Sequence, residues 1–135
     1  MDFFGIGTND LTQYALAAEC GNAELAALAD TLDPGSLRLI AELCRGAGDV
    51  PVSLCGEAAA DPAAIPILLG LGVRSLSVAA PAIAQVKQAV RDLELTSATQ
   101  LANRALTCAS AAEVRSLSVT TAGGQSSPAT PDLER

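Results

Sequence analysis

Two short runs in this sequence hold side chains that could do chemistry. The first, Gly5-Ile6-Gly7-Thr8-Asn9-Asp10, sets small residues at the end of an apolar stretch, followed by an amide and a carboxylate. Small residues let the backbone approach a ligand closely. An aspartate is a hard oxygen ligand suited to Mg2+. The second run, Ser53-Leu54-Cys55-Gly56-Glu57, sets a thiol at the end of another apolar stretch. A cysteine near a helix N-terminus can act as proton donor or nucleophile. Each run also has a plainer reading. Asn9 and Asp10 can simply cap a helix after a strand-to-helix turn, and a single cysteine is often a small core hydrophobe. Spacing alone favours the plainer reading in both cases. Cys44 belongs to a helical apolar stripe, and Cys108 sits near a helix end with no partner visible in the sequence.

Composition narrows the chemistry. The 135 residues contain no histidine, which excludes a Ser-His-Asp triad, a Cys-His pair, a His-rich zinc site and a phosphohistidine carried by this chain. None of the four cysteines forms a C-x-x-C pair, and they read as reduced cytosolic thiols. Residues 1–70 hold ten acids against Arg38 and Arg45, a net of −8, while residues 71–135 carry +1. An acidic half repels nucleic acid, and an anionic substrate meeting it needs a metal ion or cations from elsewhere. No apolar run reaches the roughly 18 residues of a membrane span. The start has no basic segment that would mark a secretory signal. The expected setting is the cytoplasm, with no membrane partner.

The elements that would position these residues follow from periodicity and punctuation. Asp2 to Gly7 reads as a buried strand, Thr8 to Asp10 as a turn, and Leu11 to Glu19 as a helix capped by Asp10 and ended by Gly21. Ala23 to Ala29 reads as a short second helix. Asp33-Pro34 opens the next, with Leu37, Ile40, Ala41 and Cys44 on one face. Val52 to Leu54 is a short strand. Asp61-Pro62 starts a helix ending at Gly70 or Gly72, with an irregular first turn at Pro66. Leu76 to Val78 is a third strand, Ile83, Val86 and Val90 mark a helix face, and Thr96 to Leu106 is helical. Ser110 with Glu113 fits a capping box. Periodicity is lost at Val119, so residues 1–118 read as one domain and 119–135 as a disordered tail.

Strands alternating with helices imply an α/β fold with a parallel sheet. Three such units do not close a barrel, which needs eight strands and typically about 250 residues. Three parallel strands alone leave open edges and faces, so either part of the sheet is missing or partners supply it.

The run Phe3 to Tyr14 closely resembles the signature of phosphoenolpyruvate-utilising enzymes. Ser53 to Asp61 (S-L-C-G-E-A-A-A-D) and Pro62 to Val73 resemble their second block, in order and at suitable separation. The forms T-Q-Y and C-G-E-A-A-A-D resemble enzyme I, the phosphoenolpyruvate–protein phosphotransferase of the bacterial sugar phosphotransferase system, more than phosphoenolpyruvate synthase or pyruvate phosphate dikinase. The likeness runs from Asp2 to about Leu117, and it implies an α/β fold that is part of a (β/α)8 (TIM) barrel, about its last three βα units, plus C-terminal helices. It implies that Cys55 is the acid that protonates the enolate to give pyruvate, that Asp10 is one of two Mg2+ ligands, and that Asn9 contacts phosphoenolpyruvate. It further implies phosphoryl transfer through a histidine domain absent here to a phosphocarrier protein, and a homodimer made by the barrel.

Departures from the family pattern are visible too. Cys20 stands where the family's substrate-binding arginine is usual; losing one charge-assisted hydrogen bond of about 1.5–3 kcal/mol would weaken binding about tenfold to a hundredfold. Gly5 replaces the usual serine and Asp33 a common histidine. Asp10 lacks its companion ligand. A fragment of the catalytic barrel and a non-catalytic remnant or dimerisation module both remain open, with the isolated chain expected to be inactive.

Overall fold

Residues 2–16 and 30–123 are described in the computed structural model. Three short strands, β1 (Phe4–Gly7), β2 (Val52–Cys55) and β3 (Ser75–Ser77), form one sheet in the order β1-β2-β3. Both pairings are parallel, with Gly7 opposite Cys55 and Cys55 opposite Ser77. The α/β architecture with a parallel sheet is therefore as the strand–helix alternation implied.

Side chains alternate across a strand, and here the two faces differ in kind. Ile6, Val52 and Leu54 are buried and Leu76 half-buried on one face. They join a core with Leu37, Ile40, Ile67, Leu68 and Val73. The register rows of the other face read Gly5–Ser53–Ser75 and Gly7–Cys55–Ser77. These residues are small, and they are exposed or half-buried. A parallel sheet is ordinarily covered on both faces. Among the described residues the helices cover one.

Helix α1 (Thr8–Leu16) follows β1 without a turn, so β1 begins at Phe4 rather than Asp2 and the helix starts before Leu11. Asp10 then sits in the first turn instead of at the cap. The position suits it, because a carboxylate is favoured near a helix N-terminus. The expected end at Gly21 and the short helix at 23–29 lie outside the described residues, as does Cys20.

Helix α2 (Pro34–Ala47) is capped as its sequence implies: the Asp33 carboxylate accepts from the Gly35 N–H at 2.9 Å and the Ser36 N–H at 3.4 Å, and Pro34 opens the first turn. Leu37 and Ile40 are fully buried, while Ala41 and Cys44 are half-buried. After β2, a 3-10 turn (Glu57–Ala60) leads to α3 (Ala64–Leu71), with Pro66 tolerated in its first turn. Gly72 closes α3 in a left-handed conformation at φ 116°. Strand β3 lies one residue earlier than Leu76–Val78.

A second 3-10 turn (Ala80–Ala82) and α4 (Ile83–Arg91) follow β3. Of the expected α4 stripe only Val86 is buried; Ile83 and Val90 are each 42% exposed. Helix α5 (Leu95–Ala105) packs on α3 through Ala98, Leu101, Ala102 and Ala105, all buried. Ser110 caps helix α6 (Ala111–Gly123), its Oγ accepting from the Glu113 N–H at 3.3 Å, while the Glu113 carboxylate accepts from the Ala109 N–H at 2.9 Å, one residue before the cap rather than at the cap as in a strict capping box. The helix runs past Val119, where the sequence loses its apolar period. Helical backbone bonds do not need an apolar stripe, and the Thr120 hydroxyl donates to the Ser116 carbonyl at 3.0 Å. Residues 124–135 lie outside the described residues.

The α3–α5 contact is close because Gly70 has no side chain. A Cβ there would stand 2.2 Å from the Ala98 carbonyl oxygen and 2.8 Å from Ala102 Cβ. Gly70→Ala is expected to destabilise the chain by about 1–3 kcal/mol through overpacking. Gly46→Ala, on α2 with nothing within 4 Å, should instead stabilise by about 0.5–1 kcal/mol. Urea unfolding midpoints of the two variants should move in opposite directions.

Candidate functional site

The two runs that could do chemistry end up side by side. β1 and β2 run parallel with Gly7 opposite Cys55, so the chain leaves both strands at the same rim. Three contacts bind the tips together. Thr8, fully buried, donates its hydroxyl to the Cys55 carbonyl at 3.1 Å. The Cys55 thiol donates to the Ile6 carbonyl at 3.5 Å. Gly56 adopts φ 120° directly beneath the Thr8 hydroxyl, and a Cβ on it would fall 2.1 Å from Thr8 Oγ1. Position 56 therefore demands glycine twice over, for its backbone conformation and for space.

Cys55 is exposed, as are Asn9 and Asp10. Gly7 and Cys55 are register partners, so the missing side chain of Gly7 and the thiol of Cys55 point to the same face of the sheet. An Asp10 carboxylate oxygen lies 3.4 Å from where a Gly7 Cβ would sit. The carboxylate thus folds back over the β1 tip, on the small-residue face that carries the thiol.

Asn9 takes a different direction. It lines a cavity of about 400 Å3 with Thr12, Glu57, Asp61 and Arg115 among others. Asp10 and Cys55 do not line this cavity. The structure brings the carboxylate and thiol to one face of the strand tips, and puts the amide at the mouth of the neighbouring cavity.

Sequence reasoning missed the charged framework of that cavity. Arg115 on α6 donates Nε–H to Asp30 at 2.8 Å, one Nη–H to Asp30 at 2.9 Å and the other to Asp61 at 3.0 Å. Burial pushes the Asp30 carboxyl up, but hydrogen bonds from Arg115 and the Leu32 N–H, with the charge of Arg115, hold it below the ordinary carboxylate range. The Asp30 hydrogen bonds raise the Arg115 guanidinium, against a smaller effect of burial. No local signal links residues 30, 61 and 115. The Thr8 hydroxyl was equally invisible, since its partner lies 47 residues away. Cys44 is half-buried against Gly72, and burial pushes its thiol up, which fits a core role.

As a metal site, the tip offers one hard-oxygen ligand, Asp10. Among the described residues no group of three or more His, Cys, Asp or Glu side chains could hold a metal ion. Mg2+ is commonly held by one or two carboxylates together with substrate phosphates and waters. Asp10 fits the protein's share of such a site and no more.

The family model described as "PEP-utilising enzyme, PEP-binding domain" matches residues 1–95. Among similar proteins, a multiphosphoryl transfer protein of Rhodobacter capsulatus is 50% identical over 119 residues, 87% of this chain and 14% of that protein. The phosphoenolpyruvate-dependent phosphotransferase system protein of Escherichia coli K12 is 42% identical over 117 residues, 85% of this chain and 16% of that protein. A phosphoenolpyruvate-protein phosphotransferase of Mycoplasma pneumoniae is 41% identical over 119 residues, 87% of this chain and 21% of that protein. The chain thus spans between 14% and 21% of the length of these curated relatives.

Two outcomes test this geometry. Gly56→Ala should destabilise the chain by more than Thr8→Val, which loses one buried hydrogen bond of about 0.5–1.5 kcal/mol. The two effects should be non-additive in a double-mutant cycle read by urea unfolding, because valine at position 8 alters the group that blocks a Cβ at 56. The second outcome concerns pH. Asp30 has a depressed folded pKa, so its contribution is present above the unfolded carboxylate value of about 3.9. That contribution is lost as pH falls through the folded value. The stability gap between the wild type and Arg115→Met should therefore be full at neutral pH and close as pH drops below about 4, measured by denaturant unfolding at each pH.

Proposed function

The chain belongs to the PEP-utilising enzymes, through their PEP-binding domain, and from that premise we propose that it is the part of a phosphoenolpyruvate–protein phosphotransferase that holds the enolate and returns it to pyruvate. The observation that carries the proposal is the pairing of the strand tips, with Gly7 opposite Cys55 and the Asp10 carboxylate folded over Gly7. Similar proteins named phosphoenolpyruvate-protein phosphotransferase, of Mycoplasma pneumoniae and Staphylococcus aureus, support the choice of reaction.

In this reading Cys55 is the general acid. When the phosphoryl group leaves, the remaining enolate carries charge on oxygen and nucleophilic character at its methylene carbon. The Cys55 S–H bond breaks, the proton forms a C–H bond at that carbon, and pyruvate results. The thiolate then recovers its proton from water. The thiol is exposed on the small-residue face, where a substrate can reach it. Asn9, one residue before Asp10 at the start of α1, would hold the substrate by its amide. Asp10 would hold Mg2+ together with ligands from elsewhere in the protein, and that ion would neutralise phosphate and carboxylate charge.

The anionic substrate needs more positive charge than the described site supplies. Arg115, the cation in the neighbouring cavity, is already engaged by Asp30 and Asp61. The complete site therefore draws its arginines from other parts of the polypeptide. The same argument applies to the fold. The face formed by Gly5, Gly7, Ser53, Cys55, Ser75 and Ser77 suits the inside of a (β/α)8 barrel, of which these three strands would be one arc. The phosphocarrier protein as acceptor, a homodimer through the barrel and a cytoplasmic setting belong to the same proposal. It is compatible with there being no described helix long and apolar enough to cross a membrane.

One observation favours a second reading, a non-catalytic association module: among the described residues no group of three or more His, Cys, Asp or Glu side chains could hold a metal ion. The two separate when the chain is joined to the histidine domain and upstream barrel half of a similar phosphotransferase, with the phosphocarrier protein supplied as phosphoryl acceptor. Magnesium-dependent release of pyruvate from phosphoenolpyruvate is expected. Cys55→Ser should lower its kcat by about 10²–10⁴-fold, the usual share of a general acid, and Asp10→Asn should raise the Mg2+ concentration needed. Undiminished turnover in Cys55→Ser would remove the thiol from the mechanism, and no turnover in any such joined protein would favour the association module.

A further inference from the structure

We infer that Arg115 is a positioning residue for the candidate site, tying the segment behind the β1 tip to the segment behind the β2 tip. The inference takes its site from the reading above, but the tie itself stands on geometry. One guanidinium meets two carboxylates from distant parts of the chain: Asp30 in a bidentate fork at 2.8 and 2.9 Å, and Asp61 at 3.0 Å. Residue 115 also lies beyond the 1–95 match to the family model.

Each carboxylate is wired to one tip. Asp30 accepts from the Leu32 N–H at 3.0 Å, which orders the bend at Thr31. The Thr31 and Thr12 hydroxyls share a hydrogen bond at 3.3 Å. Thr12 lies one turn after Asn9 on α1, on the same helix face. Asp61 ends the segment that begins at Cys55-Gly56. Its backbone N–H donates to the Ala58 carbonyl at 3.2 Å and its side chain accepts from the Ala63 N–H at 2.9 Å. Arg115 is thus a fixed spacer between the Asn9 side and the Glu57 side of the cavity that Thr12, Asp30, Thr31 and Asp61 also line.

Helix α6 is well placed to hold the spacer. Val114, its neighbour, is fully buried, and Ser118, a turn later, donates to the Ala63 carbonyl at 3.1 Å. Surface ion pairs usually contribute little. This one differs in being bidentate, three-membered and partly shielded, with the Asp30 and Asp61 side chains 26% and 27% exposed. A planar five-donor fork can meet two carboxylates at once, and a lysine ammonium cannot reproduce that geometry.

The test uses the 135-residue chain as wild type, Arg115→Met, Arg115→Lys and Asp61→Asn. It reads peptide-resolved amide exchange and the rate at which iodoacetamide alkylates Cys55, with Cys44 and Cys108 as internal references. Arg115→Met should raise exchange in residues 8–12 and 56–61 about tenfold, as expected for a lost local constraint. It should also speed alkylation of Cys55, whose thiol is held to the Ile6 carbonyl, while exchange in the α3–α5 pair stays near wild type. Arg115→Lys should fall between the two, and Asp61→Asn should loosen 56–61 while leaving 30–32 protected. Unchanged exchange at both tips would overturn the inference. So would a uniform rise across all segments, which would make Arg115 a general stabiliser. If Arg115→Met does not fold, Asp61→Asn decides alone, by whether 56–61 loosens selectively. None of these readouts involves phosphoenolpyruvate, so a failed substrate assignment and a failed tie give different results.

Discussion

The parallel register between β1 and β2 is the constraint on which the rest depends. It places Gly7 beside Cys55, and a shift of one residue would send every side chain to the opposite face. Register in a short parallel pair is weakly specified by backbone bonds alone. Here Thr8 and Gly56 add a steric key: the hydroxyl reaches the Cys55 carbonyl only if the tips are level, and it fits only because position 56 has no Cβ. The apolar alternation supplies the second specification. Ile6, Val52 and Leu54 must meet the helices together, which leaves the small residues together on the other face.

Charge is the second organising element. The first half of the chain carries a net of −8. Two of its acids are spent on Arg115, from the less acidic half. That pairing relieves repulsion around the cavity and links segments that are distant in sequence. It also removes the guanidinium from service as an anion receptor. The described site is therefore acidic and shaped, with its positive charge committed to structure. An anionic substrate can be held there only with cations brought from beyond the described residues.

Much of the fold was legible in the sequence because its causes are local. Asp33-Pro34 capped α2, Gly72 closed α3, and Ser110 with Glu113 opened α6, each through contacts within a few residues. The strands shifted by one or two residues, since apolar period marks the middle of a strand better than its ends. The α4 stripe misled because only Val86 of it is buried, while Ile83 and Val90 stay 42% exposed among the described residues. At the candidate site, residue type and spacing singled out Asn9, Asp10 and Cys55 but favoured the plainer readings, and only the family resemblance suggested roles for them. The Thr8 key and the Arg115 tie were not singled out, because their partners lie 47 to 85 residues away and nothing local records the pairing.

The proposed chemistry and the proposed barrel depend on one another. A thiol that protonates an enolate must deliver its proton to carbon before water does so at random, which requires a site that excludes water. In the described structure Cys55 is exposed, on a face of small residues with no layer above it. Small residues on a covered face make room for a ligand; on an open face they merely present a polar surface. In that proposal Cys55 would act as an acid only where other strands close over Gly7, Cys55 and Ser77. The same closure would bring Asp10 the companion ligand it lacks. If that face were instead open in the complete protein, the tips would keep their register and their key, but the thiol would have no advantage over the solvent around it.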